Sequence, residues 1–211
     1  MGLGSSYFNV DAAFRDSQKV VCFTETPLEH VWMMCEEIEH RDVQIQPYGV
    51  VFTKSWARRQ GVNPVMYVDI TIGHDWLTEP ANLMLRAAHE GHAVTLVDGD
   101  WSRIDLAHSP IAKLTPFFEP MGKPRDIRRE WWWEREWRHA GDLLFQWTDL
   151  VAVFVPEDDR EAFEADFNEG RAAQFYAPPI RRFNYLDPRW GQERMIATLA
   201  GVPIDDVGPF P

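Results

Sequence analysis

The sequence predicts an α+β fold in which short strands and short helices follow one another irregularly. The chain has 211 residues, of which 45% are hydrophobic and 26% charged, a composition typical of a folded globular protein. Apolar runs of strand length alternate with stretches of helical periodicity. These elements show no regular strand–helix repeat, which disfavours a doubly wound parallel sheet.

A chain of this length corresponds to a single domain. We therefore expect one domain over residues 1–211, with a core over about 20–170 and a C-terminal helical extension over about 171–211. No apolar stretch reaches the roughly 18 residues of a membrane span, and the N-terminus lacks the features of a signal peptide. We expect a cytoplasmic protein that does not bind a membrane. Cys22 and Cys35 lie in apolar segments and are expected to be buried free thiols.

The first predicted elements are a buried strand over residues 20–23 and an amphipathic helix over residues 27 to about 40. Thr26 and Glu29 have the spacing of a capping box, and Pro27 suits the first helical position. An apolar stripe at helical spacing runs along this helix. It consists of Leu28, Val31, Trp32, Cys35 and Ile38.

The central segment predicts further short elements, recognised by their apolar period and by the turn residues between them. They are a strand at 48–53, a helix at 55–60, a strand at 65–70, a helix at about 79–90 and a strand at 94–97. Gly61 and Gly91 follow the two helices, where glycine favours the left-handed cap. Thr78 is expected to cap the second of them.

The last part of the chain predicts strands and two helices. Residues 111–118 are rich in β-formers and precede an expected loop at 119–122. The other predicted elements are a strand at 133–139, a buried strand at 150–155, an acidic helix at 156–168 and a final helix at 188–199. Gly170 is expected to stop the acidic helix.

Several classes of enzyme lose their main support from motifs. The sequence has no phosphate-binding loop, no GxGxxG and no GxSxG, so it lacks the signatures of ATPases, Rossmann dehydrogenases and α/β-hydrolases. The segment from His89 to His92 does not have the HExxH spacing, and no other cluster has metal-ligand spacing. We therefore expect no metal site, which disfavours a metal-dependent nuclease.

The charge of the chain is strongly acidic and uneven. The net charge is −12, which repels phosphate backbones and disfavours nonspecific nucleic-acid binding. Between Asp142 and Glu169 there are nine acidic residues and one basic residue. This stretch is either a solvated helix face or a surface for a basic partner.

The tryptophan-rich segment around Glu134 and Glu136 is the main candidate for chemistry. Residues two apart on a strand point to the same face, so both carboxylates and Arg138 are expected together, with about 7 Å between the Cα atoms of the two glutamates. Paired carboxylates can divide roles, and a glutamate can stabilise an oxocarbenium-like transition state when a glycosidic bond breaks, such as the nicotinamide bond of NAD. The alternative is a surface strand with salt bridges between Glu and Arg.

Two neighbouring features bear on the same site. Trp131, Trp132, Trp133 and Trp137 are either core residues or a stacking wall for a base or a nicotinamide ring. Thr24 and Glu25 lie between a strand and a helix, at the expected edge of a cleft. Glu25 has no structural role that the sequence predicts.

Four segments occur in a characteristic order, at 21–28 (VCFTETPL), 48–54 (YGVVFTK), 61–68 (GVNPVMYV) and 133–138 (WEREWR). They resemble the patterns CFT(D/E)xPL, YGxxFxK, GxNPVxYV and WxxExEWR of the AbiGi family of abortive phage-resistance proteins. The resemblance covers about residues 20–155. It implies a bacterial phage-defence context, in which AbiGi proteins are regarded as antitoxins of a nucleotidyltransferase-like toxin.

The family also looks similar to ADP-ribosyltransferases that modify DNA, which implies a split, mixed sheet with flanking helices and NAD as cofactor. Carried over, Glu136 would be the essential glutamate and Glu134 would position the acceptor. Arg138, Thr24 and Glu25 would contribute to the NAD site. Trp32 and Tyr48 would line its nicotinamide end.

This chain departs from the family pattern at its start. Related chains carry a strand with His or Arg that grips the NAD ribose before the CFT strand, whereas the nineteen residues before Val20 contain no His and only Arg15. Two functions therefore stay open. One is an ADP-ribosyltransferase acting on a nucleic acid or a protein, and the other is a non-catalytic, antitoxin-like protein that binds a cognate toxin.

Overall fold

The computed structural model describes residues 16–36, 44–91, 94–97, 100–103, 108–123, 130–172 and 183–200. Strands and helices are mixed in these ranges, in agreement with the α+β class. The strands are β1 (Val20–Thr24), β2 (Gly49–Phe52), β3 (Asn63–Pro64), β4 (Met66–Asp69), β5 (Val94–Val97), β6 (Asp100–Arg103), β7 (Phe118–Met121), β8 (Glu136–Ala140), β9 (Leu150–Phe154) and β10 (Asn184–Leu186). The α-helices are α1 (Val31–Met34), α2 (Lys54–Arg59), α3 (Thr78–His89), α4 (Pro110–Leu114), α5 (Arg160–Ala172) and α6 (Gln192–Thr198).

The chain divides into two compact units, each formed by two separate stretches of sequence. The first unit comprises Met1–Glu25 and Gln60–Leu143, and the second comprises Thr26–Arg59 and Leu144–Pro211. The single domain expected from the sequence stays a prediction. Among the described helices, none has both the length and the apolar character needed to cross a bilayer.

The described part of the first unit contains three small sheets. In the largest, β8 lies between β1 and β3 and is antiparallel to both. The register pairs Cys22 with Arg138 and Thr24 with Glu136, so these four side chains share one face. The strands β4 and β7 pair in parallel, and β5 and β6 form an antiparallel pair.

The apolar core of the first unit forms where α3 packs against α4. Leu85 and Ala88 of α3 contact Ile111 and Ala112 of α4, and Phe118 packs against this cluster. All four core residues are buried. Such a cluster holds the two helices together by removing apolar surface from water.

The helix α4 and the strand β7 correct the prediction for this segment. Residues 111–118 were expected to be β-rich and 119–122 to be a loop, but the helix comes first and the strand follows. Ser109 begins the helix, because its hydroxyl accepts a hydrogen bond from the Ala112 N–H at 3.3 Å. Pro110 occupies the first turn, where its missing N–H costs nothing.

The second unit contains a three-stranded sheet in the order β10-β9-β2. The strands β9 and β10 are parallel, whereas β2 and β9 are antiparallel. One cluster contains Ala152, Leu186, Met195 and Leu199, and another contains Leu150, Val153 and Val155. Aromatic rings pack on the second cluster, namely Phe52, Phe163, Phe183 and Tyr185. The predicted strands at 48–53 and 150–155 are confirmed.

The first predicted helix is shorter than expected and begins differently. A 3₁₀ turn at Leu28–His30 leads into α1, and no side chain caps its start. The Thr26 hydroxyl lies 3.7 Å from the sulfur of Met34, so the predicted capping box is wrong. Met34 is the buried residue of α1, whereas Trp32 is 45% exposed. Residues 37–40 lie outside the described part of the chain.

Three other helix predictions need correction. Thr78 does not cap α3, because its buried hydroxyl donates to the carbonyl of Asp69 at 2.9 Å. The acidic helix continues to Ala172 and passes through Gly170, which therefore does not stop it. The final helix is limited to Gln192–Thr198. The predicted strands at 20–23, 65–70 and 94–97 and the helix at 55–60 are confirmed.

We expect Gly122→Ala to destabilise the protein more than Gly61→Ala does. Both glycines have positive φ, 102° and 85°, where a Cβ costs roughly 1–2 kcal/mol. Only at Gly122 would the Cβ also overlap oxygens of Asp69 and Thr71. Those oxygens already accept hydrogen bonds from the backbone N–H groups of Thr71 and Lys123. Urea denaturation measures the difference, and equal midpoints would contradict this close contact.

Candidate functional site

The segment before β8 does not continue the strand, contrary to the prediction. Trp132–Glu134 forms a 3₁₀ turn, and Arg135 follows in the left-handed region with φ of 47°. A positive φ is uncommon for a residue other than glycine, and it breaks the two-residue alternation at this point. Glu134 and Glu136 therefore do not share a strand face, and the expected pair of parallel carboxylates is wrong.

Glu136 and Arg138 do share a face, as the sequence predicts. The Arg138 Nε donates to Glu136 Oε1 and its Nη2 donates to Glu136 Oε2, both at 2.8 Å. This is the bidentate geometry in which a guanidinium binds a carboxylate most strongly. Arg138 is 3% exposed, so the pair is largely removed from water.

Arg138 also binds groups outside β8. Its Nη2 donates to Glu119 Oε2 on β7. Its Nη1 donates to the carbonyl of Pro116 at 2.7 Å and to that of Phe118 at 3.3 Å. An arginine has five N–H donors, and all five are engaged within the first unit. We call Arg138, Glu136 and Glu119 the Arg138 network.

The electrostatics of the Arg138 network follow from its composition. Burial by itself lowers the pKa of the Arg138 guanidinium, but the hydrogen bonds that it donates to Glu136 and Glu119 outweigh burial and raise the pKa overall. Two carboxylates surround one cation, so the network carries a formal charge of −1. Removing one member of a buried ion pair is costly because it leaves the remaining charge unpaired.

Tyr67 lies beside this network on β4. Its hydroxyl oxygen accepts a hydrogen bond from the Glu136 N–H at 3.3 Å, and Tyr67 is the register partner of Glu119. Burial raises the pKa of Tyr67 to about 12, and the charges of Glu136, Glu134 and Glu119 act in the same direction. The hydroxyl is therefore a neutral donor and acceptor at physiological pH.

Cys22 lies beside the network on β1. Burial of the sulfur, together with a hydrogen bond to Glu136 and the charge of Glu136, raises the pKa of the thiol to about 11. As a residue, Cys22 is nevertheless exposed and Cys35 is partly exposed, so the prediction that both are buried is wrong. The strand edge is open to solvent while the sulfur faces the carboxylate.

Thr24 and Glu25 tie the end of β1 to the turn before β8. The Thr24 hydroxyl donates to the carbonyl of Glu134, and the Glu25 N–H donates to the carbonyl of Arg135 at 3.1 Å. The Glu25 carboxylate accepts a hydrogen bond from the Trp137 indole N–H at 2.8 Å. Glu25, for which the sequence predicts no structural role, thus holds Trp137 in place.

Trp32 and Tyr48 belong to the second unit, whereas the other predicted site residues belong to the first. The Trp32 indole N–H donates to the carbonyl of Glu29 at 3.0 Å. Tyr48 is 51% exposed, and its hydroxyl donates to Asp159 Oδ2 at 2.6 Å. That hydrogen bond raises the pKa of Tyr48.

Two members of the cluster around Glu136 escape prediction as site residues. The sequence places Glu119 in an expected loop at 119–122, which gives no reason to bring it close to Glu136. Tyr67 is predicted only as part of a strand. The Ser109-Pro110 pair is the signal that would have moved the strand to Phe118–Met121. In the residues that the structure describes, no group of three His, Cys, Asp or Glu side chains is arranged to hold a metal ion.

Comparison with models of protein families, with curated proteins and with solved structures yields no match to this chain. The site is therefore interpreted from its geometry. Arg138 is the centre of an ion network that is largely removed from water. Glu136 directs both of its carboxylate oxygens at Arg138 and is bordered by a neutral phenol and a neutral thiol.

We expect Arg138→Met to lower the free energy of unfolding by about 3–5 kcal/mol, because Glu136 and Glu119 lose their cation. Lys19→Met is the control, since Lys19 makes an exposed ion pair with Asp16 at 3.0 Å. Such pairs contribute about 0–1 kcal/mol. Chemical denaturation compares the two variants, and equal losses of stability would show that the buried network contributes no more than a surface pair.

We expect Glu136→Gln to make Cys22 react faster with iodoacetamide near neutral pH. The substitution removes the negative charge that helps to raise the pKa of Cys22, and it replaces one carboxylate oxygen with an amide NH₂ group. The thiolate fraction of Cys22 should therefore rise. Mass spectrometry of the peptides separates Cys22 from Cys35, which serves as the internal control. An unchanged rate at Cys22, or an equal increase at both cysteines, would contradict the contact with Glu136.

Proposed function

We propose that this chain is a phage-defence protein of the AbiGi-like type that works as a non-catalytic binding module and neutralises a nucleotidyltransferase-type toxin. One observation carries the proposal. Glu136, the glutamate that a transferase would need for chemistry, accepts hydrogen bonds from Arg138 with both carboxylate oxygens. All five N–H donors of Arg138 bind acceptors within the first unit. Chemistry at this position would have to compete with the interactions that hold the first unit together.

The size of that competition follows from burial. For Glu136 to approach a reacting ribose, at least one of its oxygens would have to leave the guanidinium. Separating the members of a buried pair costs on the order of 3–5 kcal/mol. Arg138 would likewise have to give up a hydrogen bond before it contacted a phosphate or a ribose. A carboxylate that is ready for catalysis is instead preorganised toward its substrate.

An acidic surface in the second unit supports the binding role. The segment from the 3₁₀ turn at Glu157–Asp159 to the end of α5 carries seven acidic side chains, most of them exposed. They are Glu157, Asp158, Asp159, Glu161, Glu164, Asp166 and Glu169. A protein that binds nucleoside triphosphates or RNA presents a basic surface, and opposite surface potentials steer two proteins together.

A second candidate is the ADP-ribosyltransferase, which would move ADP-ribose from NAD to a nucleic acid or a protein in the cytoplasm. The perturbed pKa values of Tyr67 and Cys22 beside Glu136 favour it, because such clusters are typical of catalytic sites. Glu136 and Glu134 would then be catalytic, and Arg138, Thr24 and Glu25 would contribute to the NAD site. The split, mixed sheet of these transferases belongs to the same proposal.

A calorimetric titration of the folded chain with NAD separates the two candidates. The binding module predicts no saturable heat at millimolar NAD. Saturable binding together with release of nicotinamide, lost in Glu136→Gln, would overturn it in favour of the transferase. Thermal unfolding of the same variant is recorded in parallel, because a loss of activity that only follows unfolding is not evidence for a catalytic glutamate.

The toxin partner is tested separately, with the nucleotidyltransferase-like protein encoded beside this chain. We expect binding that weakens with salt and weakens further in the Glu161→Lys/Asp166→Lys variant. Asp142→Lys is the control, because it changes an exposed charge of the first unit, away from the segment between Glu157 and the end of α5. Binding that is insensitive to both salt and these substitutions would remove the acidic surface from the proposal.

A further inference from the structure

The helix α3 has two apolar faces, and among the described residues of the first unit only one of these faces is buried by packing. Leu85 and Ala88 are buried against α4. On another side of the helix, Leu83 is 55% exposed and Met84 is 52% exposed. A helix of a folded protein normally turns a single apolar stripe to the core and a polar side to water, so a second apolar stripe indicates an interaction surface.

The second stripe begins in the turn before the helix. The Glu79 N–H donates to the carbonyl of Asp75 at 3.0 Å, so Trp76 and Leu77 lie in the first turn. Trp76 is 73% exposed and Leu77 is 42% exposed. We call the stripe the α3 outer face. Its exposed members are Trp76, Leu77, Pro80, Leu83, Met84 and Ala87.

The spacing of the α3 outer face is that of a helix-pairing seam. Trp76, Pro80, Leu83 and Ala87 follow one another at intervals of four, three and four residues, which is the spacing of the apolar positions in a coiled coil. Leu77 and Met84 form one flank of this seam and are seven residues apart. Glu79 and Arg86 form the other flank, also seven residues apart and of opposite charge.

The two flanks identify the partner as a second copy in antiparallel orientation. When Trp76 of one copy is set opposite Ala87 of the other, Pro80 falls opposite Leu83, and both contacts occur twice. In the same register, Glu79 lies opposite Arg86 of the second copy, and Leu77 lies opposite Met84. A parallel pair would instead place Glu79 beside Met84 of the other copy and would gain no ion pair.

We propose that the α3 outer face is a self-association surface on which two copies of this chain pair antiparallel about a two-fold axis. A two-fold interface repeats each contact, which agrees with the doubled contacts of this register. A single short helix from each copy buries less than the roughly 1,200 Å² of a stable interface. The dimer is therefore weak and dissociates on dilution. The inference is independent of the proposed function.

Sedimentation equilibrium of the full chain over a range of concentrations tests the surface. We expect a mass that rises from 24.5 kDa toward twice that value. Leu83→Lys should raise the dissociation constant about tenfold or more, because it places a charge in the seam. Leu114→Lys is the matched control, since Leu114 is 51% exposed on α4 of the same unit. A monomer at every concentration overturns the proposal, as does equal weakening by both variants.

A charge exchange tests the orientation. Glu79→Arg and Arg86→Glu each set like charges opposite one another, so each single variant should dimerise several-fold less strongly than the native chain. The double variant restores opposite charges and should dimerise like the native chain. Failure of the double variant to recover, with circular dichroism showing intact folding, overturns the antiparallel register. If the single variants dimerise as strongly as the native chain, dimerisation occurs through another surface, and the proposal is overturned as well.

Discussion

The guanidinium of Arg138 is the contact on which the arrangement of the first unit depends. Arg138 lies on β8, within the sheet that β8 forms with β1 and β3. Its other partners, Glu119 and two backbone carbonyls, lie on β7 and in the turn that leads to β7. The two sheets are thus joined by side-chain hydrogen bonds of a buried cation. Since a buried cation without partners is strongly unfavourable, the position of β7 is coupled to that of β8.

The same interactions explain why a pattern of charged residues on a strand is ambiguous. Glu136 and Arg138 are two residues apart on β8, which is compatible with a catalytic pair and with a structural one. Burial decides between these roles, because a buried guanidinium needs acceptors for its donors. Two of those acceptors are carbonyls of Pro116 and Phe118, far away in sequence. The sequence around Arg138 does not contain these acceptors, so its structural role is visible only in the folded chain.

The sequence predicts best those elements whose burial is continuous. The strand β9 is an unbroken apolar run, and β1 and β2 are short apolar segments, so all three are found where expected. The errors occur where one local interaction outweighs propensity. Ser109 begins a helix in a segment of β-formers. Arg135 adopts a left-handed conformation although no glycine or other typical turn residue marks the position. Gly170 lies inside a helix. The contacts of Glu119 and Tyr67 depend on the pairing of β4 with β7, which no local pattern contains.

The division of both units between distant stretches of sequence has a consequence for synthesis on the ribosome. The Thr24 hydroxyl binds a carbonyl 110 residues later, and β1 has β8 as its partner in the sheet. In the second unit, β2 likewise pairs with a strand that is synthesised much later, β9. Contacts between such distant residues form slowly. While the middle of the chain is translated, β1 and β2 emerge with unpaired edges that invite pairing with other chains. These edges stay unpaired until β8 and β9 have been synthesised.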